Sequence, residues 1–231
     1  MNEFTLKSMG WSWKELILLL LLTFVFVPII IEHLVHDAFL NLFTNELYAG
    51  TLTGFIMAIV FTTGTFFIAL KLNNLTWRAV GLTPFSKSYW KSLVFWTFVL
   101  VVTSVVVVIL MEMIGWTSGT SKTESLQSNV NFWTVLIGFV SAAIISPVYE
   151  EIFYRGFLYK WFRLKWGVPI GILLSSFIFM LVHIPTYNTL PINFLSGVIF
   201  SWTYEKSGSI YPGMIIHGIF NGIAVLLTII G

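Results

Sequence analysis

The sequence predicts an all-α fold: a polytopic bundle of about seven transmembrane helices. Three observations carry this expectation. Of the 231 residues, 57% are hydrophobic and only 10% are charged, against roughly 25% charged residues in soluble domains. Apolar runs recur along the whole chain, several of them near the roughly 20 residues that a hydrocarbon core demands. Eleven of the twelve Lys and Arg residues fall on alternate connections, as they do when basic loops stay on the cytoplasmic side.

The first apolar run covers residues 16–31. Lys14 precedes it, as in a secretory signal, but no small-residue cleavage site follows, so it reads as a retained helix. The second and third runs cover 47–70 and 93–111. The fourth begins near 132, passes through 145 and enters the polar stretch "SPVYEEIFYRGFLYKW". The fifth, sixth and seventh cover about 168–183, 190–204 and 209–230. Only Lys122, in the polar loop "WTSGTSKTESLQSN", lies on the minority side. This places the N-terminus in the cytoplasm and the C-terminus outside a cell membrane. The connection "LTWRAVGLTPFSKSYWK" is cytoplasmic, with Trp and Tyr at interfacial positions. No internal repeat or linker divides the chain, so residues 1–231 read as one integral membrane domain with a motif-bearing core at about 132–231. The glycine pairs Gly50/Gly54, Gly167/Gly171 and Gly218/Gly222 have the spacing that lets helices approach closely.

Composition also excludes functions. There is no cysteine, hence no disulfide, thiolate nucleophile or thiolate-bound metal. A net charge of +2 is too small to suggest nucleic acid.

An ionisable group inside a span costs about 2.5–3.5 kcal/mol on insertion scales and is a functional candidate by default. Glu150 and Glu151 are adjacent, so they point about 100° apart on a helix. Arg155 lies four residues after Glu151 and shares its face, so these two can neutralise each other. Glu150 is then left without a local partner, and an unpaired carboxylate in an apolar site is the better proton acceptor. His183 closes the run "SSFIFMLVH", with Phe179 one turn earlier. His217 and Asn221 share a face of the last span, where both need partners. The alternative is that the glutamates sit at a helix end among solvated charges, close to Lys160 and Arg163.

A second cluster, "IEHLVHD", carries Glu32, His33, His36 and Asp37. Its histidine spacing suits a metal, but its place after the first run reads as a solvated outer loop. The zinc-protease H-E-x-x-H and the serine-hydrolase G-x-S-x-G motifs are both missing.

Glu150, Glu151 and Arg155 form E-E-x-x-x-R, Phe179 and His183 form F-x-x-x-H, and His217 and Asn221 form H-x-x-x-N. In this order the chain resembles the CPBP intramembrane proteases, the family of the CAAX prenyl endopeptidase and Abi-type bacteriocin-processing proteins. The resemblance implies a helical bundle around a polar cavity open to the cytoplasm. It implies a membrane-associated peptide or protein as substrate, within the lipid bilayer. It also assigns roles. Glu150 resembles the water-activating glutamate, His183, His217 and Asn221 the other catalytic residues, and Glu151 and Arg155, with Phe179, their support. His217 and Asn221 are expected to stabilise the oxyanion, and His183 to orient water or protonate the leaving amine. The family is often called metalloprotease, and Glu150, His183 and His217 could make a His₂Glu zinc site. A metal-free glutamate mechanism explains the same residues, and no tightly bound metal is expected.

One conflict follows from counting. Glu150 falls near the cytoplasmic end of the fourth run, while His183 lies about 22 Å along the fifth at 1.5 Å per residue. If both line one cavity, the fourth helix must continue toward Phe162, or the fifth must start late or tilt; the expectation is a fourth helix that extends at least through Tyr159. Three other readings remain open at this point: a non-catalytic scaffold or bacteriocin-immunity protein, a small transporter, and a bundle whose polar groups only join helices.

Overall fold

The computed structural model describes residues 5–116, 119, 121–127 and 130–230. Among them there is no strand. After a single turn, Leu6–Met9, eight helices follow: α1 Trp13–Phe43, α2 Glu46–Asn73, α3 Lys87–Met113, the short α4 Ser121–Gln127, α5 Phe132–Trp166, α6 Val168–Leu181, α7 Leu190–Ser207 and α8 Tyr211–Ile230.

Each of the seven runs is a helix, but five of them are long and apolar enough to cross a membrane: α1, α2, α3, α5 and α8. Helix α6 is apolar but spans only 14 residues. Helix α7 has 18 residues and carries Glu205 and Lys206 in its last turn. The count of seven crossings is therefore not reproduced by length and composition.

Helix ends follow local chemistry. Ser12 caps α1 in a capping box with Glu15, whose Oε2 accepts from Ser12 N and Oγ at 2.7 Å each. Asn131 caps α5 in the same way with Thr134. Gly208, at φ 70°, ends α7 in the left-handed conformation that glycine adopts without strain.

Two boundaries differ from the expectation. Helix α1 does not stop at Ile31. It continues to Phe43, so "IEHLVHD" is helical and not a loop. Its charges do remain outside the core: His33 and Asp37 pair one turn apart at 3.1 Å with side chains 73% and 53% exposed. His36 reaches Glu46 (3.2 Å) and Thr53 (3.2 Å) on α2, which fixes the α1–α2 turn. In the polar loop, residues 117, 118, 120, 128 and 129 lie outside the described residues, and 121–127 form α4. Leu126 is buried there, and Gln127 Nε2 donates to Thr228 O at 3.0 Å.

Helix α5 is the axis of the bundle. It has 35 residues, about 52 Å of helix against a hydrocarbon core of about 30 Å. It packs against α2, α6, α7 and α8, while α3 packs on α7 and α8. Its buried ridge includes Phe153, Phe157 and Trp161, which meet Phe61 and Leu70 of α2 and Leu19 of α1 in one apolar cluster. Indole donors tie the ends: Trp11 Nε1 to Ala69 O at 2.8 Å and Trp161 Nε1 to Ser12 O at 3.1 Å. Many residues facing outward are large and apolar, such as Val94, Phe95 and Phe98 of α3. Small hydroxyl residues lie inside, as expected where lipid gives helices no hydrophobic reason to associate. A Cβ on Gly197 of α7 would lie 2.9 Å from Ser176 of α6, and Ser175 and Ser201 hydroxyls meet at 3.3 Å.

The glycine pairs behave differently from one another. Gly218 and Gly222 press α8 onto α5, where a Cβ would come within 2.5 Å of Ala143 O or 2.9 Å of the Phe139 ring. Gly167 is instead the α5–α6 turn, with φ 87°, and Gly171 lies against the Arg163 backbone. Neither Gly50 nor Gly54 has a close neighbour.

The α2–α3 connection is clamped beneath α5 and α7. Lys160 Nζ donates to Ala79 O at 2.7 Å, and Ile210 N to Gly81 O at 3.0 Å. Gly156 admits the connection, since a Cβ there would sit 2.6 Å from Val80 O. Gly156→Ala is expected to cost about 1–3 kcal/mol by overpacking, read by thermal unfolding in detergent. Gly50→Ala, with open space around it, is expected to leave stability unchanged or raise it by up to about 1 kcal/mol.

Candidate active site

The α5–α6 hairpin resolves the conflict over His183. Helix α5 runs unbroken from Phe132 to Trp166, past Tyr159 as required. Glu150 is therefore mid-helix, not near an end. Counted outward from the Gly167 turn, Arg163 faces Gly171, Arg155 faces Phe179 and Glu151 faces His183. The first two pairings are visible as contacts: the Arg163 backbone lies 2.9 Å from where a Gly171 Cβ would be, and the Arg155 guanidinium lies 4.2 Å from the Phe179 ring centre. His183 follows in the turn after α6, with Nδ1 2.7 Å from Phe179 O and its ring edge-on to Phe179 at 4.9 Å.

The two glutamates have different surroundings. Glu151 is fully buried, with Oε1 2.9 Å from Arg155 NH1. This is the turn-spaced pair that the sequence suggested. Its hydrogens are poorly aligned, because Glu151 Oε2 and Arg155 NH1 and NH2 make no hydrogen bond of good geometry. The guanidinium is also held between the faces of Phe179 and Phe200, at 4.2 and 4.9 Å, contacts that stabilise a desolvated cation. Gly213 of α8 makes room for this carboxylate, since a Cβ there would lie 2.7 Å from Glu151 Oε2.

Glu150 keeps some contact with its surroundings. Its side chain is 11% exposed against 0% for Glu151, so only the first keeps accessible surface. Contrary to the expectation, it does have a local partner: Ser146, one turn earlier, donates its hydroxyl to Glu150 Oε1. The spacing of four was legible in the sequence, but serine in a span is most often bonded to its own helix backbone, and Ser146 was passed over.

His217 joins the two carboxylates. Its Nε2 lies 3.8 Å from Glu150 Oε2 and its Nδ1 3.2 Å from Glu151 Oε1. Two side chains 100° apart on one helix thus meet the opposite edges of one ring on another. The ring stacks on Phe200 at 4.7 Å and meets Phe179 edge-on at 6.0 Å. Asn221, one turn on, donates Nδ2 to Ala142 O of α5 at 2.9 Å. In this arrangement it fastens α8 to α5.

Phe200 of α7 was not singled out from the sequence, nor was Glu205. Glu205 accepts from Arg163 Nε (2.6 Å), Arg163 NH2 (2.9 Å) and the Tyr159 hydroxyl (2.6 Å), which locks α7 to the far end of α5. Neither carries a motif signal, since each acts across helices.

The zinc set does not fit. Among the described residues no three of His, Asp or Glu come together closely enough to hold a metal ion. That applies to Glu150, His183 and His217 as to the cluster around His36.

Arg155→Met is expected to destabilise the protein by about 3–5 kcal/mol, because it leaves a buried carboxylate without its cation. Adding Glu151→Gln should recover part of that loss. Unfolding of both variants in detergent measures the coupling.

Residues 131–223 match the family described as type II CAAX prenyl endopeptidase Rce1-like. The UPF0177 protein YbdI of Lactococcus lactis subsp. lactis is 27% identical over 96 residues, which cover 40% of this chain and 49% of that relative. The matched region thus spans about half the length of the curated relative. No solved structure matches. Every motif position from Glu150 to Asn221 lies within the matched residues, and the segment 131–223 is therefore similar to the Rce1-like prenyl endopeptidases in the same residues that carry the resemblance read from the sequence.

Proposed function

We propose that this protein is an intramembrane endopeptidase that hydrolyses a peptide bond in a membrane-associated peptide or protein, with Glu150 as the base that activates water. The observation that carries this reading is the asymmetry of the two carboxylates. One is sealed in and neutralised by Arg155, while the other is oriented by Ser146 and keeps accessible surface. The family match supports peptidase chemistry.

In the reaction Glu150 removes a proton from water, and the resulting hydroxide attacks the scissile carbonyl carbon. The carbonyl oxygen takes the negative charge. His217 Nε2, beside Glu150, serves as a donor to that oxygen, a contribution worth about 2.7–4 kcal/mol per donor in measured cases. Collapse of the intermediate breaks the C–N bond, and the proton held by Glu150 passes to the leaving amine. His183, level with Glu151 across the hairpin, orients the water or the amine. Glu151 and Arg155 keep His217 in place, and Asn221 fixes the register of α8. The distribution of basic residues supports a cell-membrane protein with its N-terminus in the cytoplasm.

The test is Glu150→Gln in cells that lack the native protein. Membrane-associated peptides are compared by mass spectrometry with wild type at matched protein levels. The expected outcome is specific peptides that persist uncleaved. Identical profiles with the wild-type phenotype intact would leave a scaffold role in place of the protease.

A further inference from the structure

Resting on the protease reading, we infer that Tyr154 is a further catalytic residue, whose hydroxyl donates a hydrogen bond to the oxygen of the attacked carbonyl. Ser146, Glu150 and Tyr154 are spaced by four residues on α5 and form one stripe. The Tyr154 ring is buried, 3% exposed, between Phe61 of α2 at 6.3 Å and Phe179 of α6 at 5.1 Å. Phe179 is the ring around which the site is assembled, since it also meets His183, His217 and Arg155. Tyr154 thus packs on the same ring as His183, His217 and Arg155.

Apart from His217 Nε2, which the proposed reaction already uses on that oxygen, the donors there face acceptors of the protein. His217 directs its two nitrogens at two carboxylates, Asn221 Nδ2 is bonded to Ala142 O, and His183 Nδ1 lies at Phe179 O. The Tyr159 hydroxyl donates to Glu205. The Tyr154 hydroxyl has no hydrogen-bond partner among the described residues, yet it is not among the buried side-chain atoms sealed off without one. A phenol in an apolar interior is costly without a partner, so the group is suited to an acceptor that arrives from outside the protein. Its electrostatic environment is shared with Glu150, Arg155 and Glu32 of α1. A hydrogen bond from this hydroxyl involves no proton transfer. The phenol keeps its proton while the carbonyl oxygen gains charge on attack, and that bond strengthens in the transition state.

The variant is Tyr154→Phe, which removes one oxygen and leaves the ring contacts. A peptide that accumulates with Glu150→Gln is synthesised as a quenched fluorogenic substrate for the purified full-length chain in detergent. The expected result is a kcat lower by about 100- to 1,000-fold, a KM within about threefold of wild type, and an unchanged melting temperature. A kcat equal to wild type while Glu150→Gln is inactive overturns the role of Tyr154 and leaves the protease reading standing. Loss of kcat in parallel with a lowered melting temperature also overturns it, in favour of a packing role. Cleavage by Glu150→Gln at the wild-type rate overturns both.

Discussion

The structure depends on how two adjacent carboxylates are kept inside an apolar bundle. Desolvating a charge costs several kcal/mol unless partners replace the water. Here the partners come from four helices. Arg155 comes from α5 itself, His217 from α8, and the aromatic faces that hold the cation, Phe179 and Phe200, come from α6 and α7. Helices α5 to α8 are therefore committed to one polar point, and the small residues of α8 follow from it. Gly213 must leave room for Glu151, while Gly218 and Gly222 must let α8 lie on α5 so that His217 reaches both glutamates.

The same constraint creates the difference on which the chemistry relies. One cation cannot serve two carboxylates that point 100° apart. Arg155 is used up on Glu151, and the carboxylate left over is the one that keeps accessible surface. His217 then bridges them, so that the supporting pair and the reacting group are mechanically connected through a single ring. Further out, Glu205 with Arg163 and Tyr159, and Lys160 on the Ala79 carbonyl, fasten the far end of α5 to α7 and to the α2–α3 connection. They set the angle at which the site is presented without touching it.

Much of the site was legible because helical spacing converts directly into shared faces. The Glu151–Arg155 pair, the His217–Asn221 face and the Phe179–His183 turn are all separated by four residues. What spacing missed involves contacts between helices or a residue type with two uses. Phe200 stacks on His217 from another helix. Ser146 bonds Glu150 where a backbone bond was the default. Asn221 also donates Nδ2 to a carbonyl of α5, a bond between helices that spacing does not show. The end of α1 differs from the expectation, since the helix runs past Ile31 to Phe43. Helix α1 carries His33, His36 and Asp37 through a helical turn, because paired and solvated charges do not end a helix.

By itself the sequence determined the class of fold and the pairings within each helix. Hydropathy fixes which segments leave water, and a period of 3.6 residues fixes which side chains share a face. The tertiary structure alone decided that Glu150 lies in mid-helix, that His183 packs on Phe179 beside the His217 ring, and that one imidazole meets both glutamates. These depend on where the chain turns at Gly167 and how closely glycines let α8 approach. Such distances between helices arise from the packing of residues far apart in the chain, and no local period encodes them.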